Sequence, residues 1–364
     1  MSNSEPEVDW AVFIPAVIIV LVCAIPLMIF PESASQILAD GRKIIMTNFL
    51  WLYLIVGISA FLFCLWLVLG RYAHVKLGAP DESPEYSDMH WVAMMFTTAI
   101  GASVIAWGFA EPIFYLQTPP LGIEVGSTKS FEWAHMYPLL HWGIVPWSMY
   151  ALPAVPIAYM LYVKRYPVLR ISSACDGALP KRGRDQIKTI IDILIVLGIV
   201  GGVATSLGLG VPLLSAMLST LFEVPDSMVI KMSVLSLWTL LFGASVYRGL
   251  KSGIKVLADI NIVLAIFAIF FVLIAGPGVF IMDLTVNSIG LMFNNFISTA
   301  TWTDPIENGS FPEDWTGFYW GWWLAYTGMV GLFFGRISRG RTIRQLVLGV
   351  ICWGCLGTWL FLAV

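Results

Sequence analysis

The side chains in this chain best placed to hold a ligand are rings, not acids, bases or nucleophiles. Trp315, Tyr319, Trp322, Trp323 and Tyr326 lie in an apolar run that reaches Phe334. At about 100° per residue they fall at about 0°, 40°, −20°, 80° and 20°, so five large π faces share one side of one helix. A second group, Trp142, Trp147 and Tyr150 in the stretch from His141, falls within an arc of about 140° of another helix. Aromatic walls attract a cation that offers no hydrogen-bond donor through the quadrupole of each ring, which aliphatic walls cannot do. Tight helix packing with an interfacial girdle of Trp and Tyr is the structural alternative.

Other chemistry is sparse. Glu111, His141, Asp192, Lys231 and Asp259 are the ionisable residues within or near the apolar segments, and each such residue carries a desolvation cost that makes it a functional candidate. Asp192 and Lys231 lie near segment ends and can reach the interface. Asp259 is four residues after Lys255, the spacing of a helical ion pair. Glu111, before Pro112, reads as a helix-end residue or a gate element, and His141 as a structural histidine or a proton relay. No cluster of His, Asp and Glu occurs at catalytic or ligand spacing, so a membrane enzyme acting on lipid head groups, which would also use an aromatic cage for a cation, lacks its acid, base or metal. No metal centre is expected. The cysteines Cys23, Cys64, Cys175, Cys352 and Cys355 are scattered, and the pair at 352 and 355 has no polar partner for redox work. A channel is disfavoured for want of a repeated carbonyl-rich filter.

The elements that position these rings are membrane helices. Hydrophobic residues make up 58% of the chain and charged ones 12%, with a mean hydropathy of +0.82, against a charged share of about 25% in soluble domains. The fold class is all-α and polytopic. Nine spans are read by length: 11–30, 50–69, 91–116, 136–163, 190–222, 229–246, 254–282, 315–334 and 343–364. Lys and Arg crowd the even-to-odd connections, notably 164–188 and 336–344, whereas the odd-to-even ones hold only Arg42, Lys43 and Lys129. The amino terminus is therefore expected in the cytoplasm. The connection 283–314 has no Lys or Arg and several acids, so it is expected outside, with a weakly amphipathic piece near 284–296. The last apolar run stops at Val364 without a polar tail, which reads as a carboxy-terminally incomplete chain.

Small residues interrupt two spans. The third holds Thr97, Thr98, Ala99, Ile100, Gly101, Ala102 and Ser103, and the fifth holds Gly198, Gly201, Gly202, Thr205, Ser206, Gly208 and Gly210. Such stretches permit close helix approach, or unwinding beside a midplane ligand. Pro146 is expected to kink the fourth span.

His141-Trp142-Gly143 with Pro146-Trp147 and Tyr150, Phe318-Tyr319-Trp320 with Trp322-Trp323, and the basic stretch Arg336-Ile337-Ser338-Arg339-Gly340-Arg341-Thr342-Ile343-Arg344 together resemble the betaine/carnitine/choline transporters, with agreement from about Trp91 onward. The resemblance implies a five-plus-five inverted-repeat fold preceded by two extra helices. Residues 1–90 would form a cytoplasmic tail and two peripheral helices, 91–283 the first repeat, and 284–364 an outer connection and the start of a shortened second repeat. It implies a secondary transporter of quaternary ammonium or sulfonium solutes such as glycine betaine, choline, carnitine or dimethylsulfoniopropionate, working by alternating access in a bacterial inner membrane, as a homotrimer among lipids and with no nucleic-acid partner. The family's cation box would fall on Trp142, Trp147, Tyr150, Trp322, Trp323 and Tyr326. Phe114 stands where carnitine exchangers carry a tyrosine. Asn261 occupies the place of the arginine that replaces an ion in sodium-independent exchangers, which points to sodium as the coupling ion. Ala99 and Ile100 would supply backbone ligands and Thr205 and Ser206 hydroxyls. A sodium-independent exchanger of the carnitine type stays open, as does a fragment unable to transport alone, because the family has twelve spans.

Overall fold

A computed structural model describes residues 8–99, 102–166, 170–247, 253–307 and 309–364, all helix and connection apart from one antiparallel bridge between Lys76 and Thr342. In chain order the helices are α1 (Trp10–Ile29), α2 (Pro31–Leu69), α3 (Asp88–Ala99), α4 (Ala102–Gln117), α5 (Thr128–His141), α6 (Ile144–Ala158), α7 (Ile171–Ala174), α8 (Arg184–Phe222), α9 (Met228–Tyr247), α10 (Gly253–Ala275), α11 (Gly278–Ala300), α12 (Phe318–Ile337) and α13 (Ile343–Leu362). Wider π-helical turns extend α6 over Tyr159–Val163 and precede α12 over Pro312–Gly317. Among the described residues six helical stretches are long and apolar enough to cross a bilayer: α1, α2, 128–163, α8, α11 and α13.

Several sequence expectations change here. The seventh span does not run to Met282; it stops at Ala275, where Gly276-Pro277 interrupts the chain, and α11 begins at once. Most of the presumed outer connection is thus a 23-residue helix. Its buried residues Ile281, Ser288, Met292 and Thr299 repeat at helical spacing, while Val279, Phe280 and Val286 stay exposed. Pro146 does not kink a continuous helix. The break precedes it, at Trp142-Gly143, and Pro146 sits in the first turn of α6, where a missing N–H costs nothing. The glycines of the fifth span do not unwind it either, for α8 is continuous through all of them. Of the third-span motif, Ile100 and Gly101 lie outside the described residues.

The chain divides into two compact units. The first comprises Met1–Trp91, Val145–Gly202 and Ile297–Ile351; the second comprises Val92–Ile144, Val203–Phe296 and Cys352–Val364. In the first, α2 buries Leu50, Leu54, Gly57, Ala60, Cys64 and Leu67, a stripe at three- and four-residue steps. The stripe has a notch at Gly57, where a Cβ would stand 2.6 Å from Nε1 of Trp320 and 2.9 Å from the Met149 methyl. Only a bare backbone admits the indole.

The first unit also holds a latch between two connections. Leu77 N–H donates to the Arg341 carbonyl, and Gly340 N–H donates back to the Leu77 carbonyl. Glu82 pairs with Arg339 at 2.6 Å, Glu85 with Arg336 at 2.9 Å and Asp88 with Arg341 at 2.8 Å. The Arg341 guanidinium lies 4.1 Å from the Trp91 ring centre, and the Trp91 indole N–H donates to Ser338. Gly340 has φ +78, and a Cβ there would lie 2.5 Å from the Ser83 carbonyl oxygen. The Ala79 N–H and Arg339 hold the Glu82 carboxyl below its ordinary 4.5, because both interactions favour the charged form.

Candidate functional site

Three of the predicted rings meet in the first unit. Trp147 and Tyr150 come from consecutive turns of α6 and Trp323 from α12. Their centroids lie 5.7 Å apart for Trp147 and Tyr150, 5.6 Å for Trp147 and Trp323, and 4.8 Å for Tyr150 and Trp323. The interplanar angles are 84°, 65° and 55°. Parallel stacking would hide the π faces in one another. Rings inclined this steeply meet edge-on or tilted and form adjoining walls of a corner. Burial is nearly complete, at 1%, 6% and 6% exposure for Trp147, Tyr150 and Trp323.

Close approach of α12 to α6 and α8 sets this corner, and glycine makes it possible. A Cβ at Gly331 would lie 2.8 Å from Pro153, and one at Gly335 would lie 3.1 Å from the Ala154 carbonyl oxygen. On α8, a Cβ at Gly198 would come within 2.9 Å of the Ala325 carbonyl and one at Gly202 within 2.7 Å of the Tyr326 ring. The small residues of this span serve packing, and what they pack is the backbone and ring of the predicted site.

Trp322 belongs to a neighbouring group. It stacks on Tyr319 at 6.0 Å and 17°, and packs on Phe318 at 5.6 Å. Trp315 does not continue the stripe at 100° per residue, because it lies in the π-helical turn Pro312–Gly317, whose wider winding shifts its bearing.

Trp142 belongs to the second unit and to a polar cluster that the sequence does not announce. Its indole Nε1 donates to Oε1 of Glu111 at 2.6 Å, and the Tyr115 hydroxyl donates to Oε2 at 2.9 Å. Tyr115 also lies 2.9 Å from Nδ1 of His141. A phenol has one proton and gives it to Glu111, so its oxygen accepts from His141 and the imidazole proton sits on Nδ1. The order is His141 to Tyr115 to Glu111, all three fully buried. Glu111 is thus not a helix-end residue: it lies inside α4, buried, as the acceptor at the centre of this cluster. Helix α13 seals it: Thr358 donates to the Trp142 carbonyl at 2.7 Å and Trp359 to the Leu139 carbonyl at 2.8 Å. These are carbonyls left without a helical partner where α5 ends. Next to buried Tyr115, Phe114 is 45% exposed.

The candidate ion ligands are less developed. Ala99 closes α3 and is 3% exposed, in contact with Gly357 of α13. Thr205 and Ser206 lie in the unbroken part of α8, whose carbonyls are engaged by the helix, so only their hydroxyls could reach an ion. The side chain of Asn261, like Ile100, lies outside what is described. Two other predicted residues gain partners: Asp192 accepts from Ser172 at 2.8 Å, and Lys231 pairs with Asp226 at 3.1 Å. Ser215 and Lys231 keep the Asp226 carboxyl below its ordinary value.

The sequence profile described as BCCT, betaine/carnitine/choline family transporter, matches residues 11–364. The glycine betaine transporter OpuD of Bacillus subtilis (strain 168) is 37% identical over 342 residues, which take in 93% of this chain and 66% of that protein. The chain thus spans just under two thirds of that relative's length. With an all-helical architecture, apolar helices long enough to cross a bilayer, and a match over nearly its whole length, the chain belongs to the betaine/carnitine/choline transporter family.

Proposed function

We propose that this chain forms the substrate-binding part of a secondary transporter for methylated ammonium or sulfonium solutes of the glycine betaine class, working by alternating access. The observation that carries this reading is the corner of Trp147, Tyr150 and Trp323, three buried rings mutually inclined at 55° or more. Tyr326 and Trp322 flank it on α12. A trimethylammonium group has no N–H to donate, so a site built of π faces suits it better than one built of carboxylates. Each favourable ring contributes roughly 0.5–2 kcal/mol, and three or four give micromolar to millimolar affinity. The relative named a glycine betaine transporter supports the same class.

The inverted repeat over 91–283, nine spans, a trimer in the inner membrane, a cytoplasmic amino terminus and sodium as coupling ion, held by Thr205, Ser206 and neighbours of Ala99, are parts of the proposal. The chain His141–Tyr115–Glu111 favours a second reading of the coupling alone, in which a proton replaces sodium. Tryptophan fluorescence titration with glycine betaine tests the site. Trp323→Leu is expected to weaken binding about 3- to 30-fold per lost ring contact while the thermal unfolding midpoint stays close to that of the parent; unchanged affinity overturns the box. Repeating the titration in sodium-free buffer at several pH values separates the two couplings.

A further inference from the structure

A groove of about 620 Å³ opens on the first unit between α1, α8 and Leu332 of α12. Its walls are half-exposed aliphatics, among them Val17 and Leu21 of α1 and Val196 and Val200 of α8. One end is charged. There Nη1 of Arg170 lies 2.7 Å from Asp9 and 3.6 Å from Asp192. The aromatic corner and the coupling candidates use none of these residues.

The dimensions identify what fills it. From Asp9 to Leu21 the groove follows α1 for twelve residues, about 18 Å at 1.5 Å per residue, and one leaflet of the hydrocarbon core is about 15 Å thick. The groove is therefore one leaflet deep, with its charged end at the interface next to the amino terminus. An acyl chain fits the walls, and the end must suit a headgroup.

The charged end reads a headgroup of both signs. One guanidinium against two carboxylates leaves a local charge of −1, which repels an anionic lipid and attracts a cationic group. Arg170 makes both contacts through Nη1; Nε and Nη2 meet no acceptor among the described residues. That free edge of the fork matches two phosphate oxygens. The second oxygens of Asp9 and Asp192 accept hydrogen bonds, which a primary ammonium donates and a trimethylammonium cannot. We infer that this groove is a specific site for an aminophospholipid of the phosphatidylethanolamine kind, with its phosphate on Arg170, its ammonium between Asp9 and Asp192, and one chain along α1 and α8.

Native mass spectrometry of the full chain in detergent, titrated with palmitoyl-oleoyl phosphatidylethanolamine, phosphatidylcholine and phosphatidylglycerol, tests this. The ethanolamine lipid is expected to bind about tenfold tighter than either of the others. Asp192→Asn should reduce that preference to about twofold or less. Val196→Trp leaves the charged end intact and blocks the chain path, so it should lower occupancy of all three lipids at this site. Unfolding midpoints near the parent's confirm that both variants fold. Phosphatidylglycerol binding as tightly as the ethanolamine lipid, a preference that survives Asp192→Asn, or unchanged occupancy in Val196→Trp would overturn the assignment.

Discussion

The two buried clusters, the ring corner of the first unit and the carboxylate cluster of the second, are equally hidden and held by opposite physics. The corner is stabilised by area and ring geometry, which are non-directional and degrade by degrees as atoms are removed. The cluster around Glu111 is directional: two donors, from Trp142 and Tyr115, converge on one carboxylate. Removing the acceptor takes a bond from each of two buried donors, and a buried donor that loses its acceptor costs more than the bond contributes. Substitutions in the corner should accordingly be read in binding, and substitutions at the carboxylate in folding.

The largest effect is expected at the centre of that cluster. Glu111→Ala should destabilise the protein by about 3–5 kcal/mol, measured as thermal unfolding in detergent, whereas Glu111→Gln should recover much of the loss because an amide oxygen still accepts. A Glu111→Ala variant that melts with the parent would break the contrast. Next in size is the glycine seam beneath Tyr326. Gly202→Ala places a methyl within 2.7 Å of the ring and should cost about 1–3 kcal/mol. Gly208→Ala on the same helix meets nothing within 4 Å and should stabilise by about 0.5–1 kcal/mol. Unlike the carboxylate variants, Gly202→Ala should also weaken betaine affinity, because it displaces a ring of the site.

Smaller effects sharpen the contrast further. Tyr150→Phe keeps the ring and loses the hydroxyl, so betaine affinity by fluorescence titration should stay within about twofold if the π face does the binding. The smallest concerns the surface latch. Glu82 has a folded-state value below 4.5, so its contribution is fully present above 4.5 and is lost as pH falls through the depressed value. The unfolding midpoint should decline on that acidic side, and Arg339→Gln should flatten the decline; a slope unchanged by that substitution would remove Glu82 from the account.

How much the sequence discloses follows the same division. Trp147, Tyr150 and Trp323 are legible because each lies at helical spacing within its own segment, and ring chemistry narrows what they can hold. Glu111 is legible only in part: Tyr115 lies one helical turn on, but Trp142 and His141 come from the end of α5 and the sealing bonds of Thr358 and Trp359 from α13, which no local pattern connects. Within 283–314 the amphipathic piece at 284–296 is legible, but not the full helix Gly278–Ala300, whose buried Ile281, Ser288, Met292 and Thr299 extend the same step beyond it at both ends. The π-helical turn before α12 defeats any fixed angle per residue, which is why Trp315 leaves the stripe. The latch left a trace that was open to reading: acids at 82, 85 and 88 match arginines at 336, 339 and 341 in number and approximate step.

That latch joins partners far apart along the polypeptide, with Arg336 and Glu85 separated by 251 residues. At ribosomal speeds of roughly 5–20 residues per second, the acidic connection waits roughly 10–50 s for its arginines to be synthesised. During that interval Glu82, Glu85 and Asp88 lack their arginine partners. The clasp that orders this face is thus a late event in biogenesis, and until it closes α1 and α2 depend on lipid partitioning and on contacts with segments made earlier, such as Asp9 with Arg170 and Gly57 with Met149.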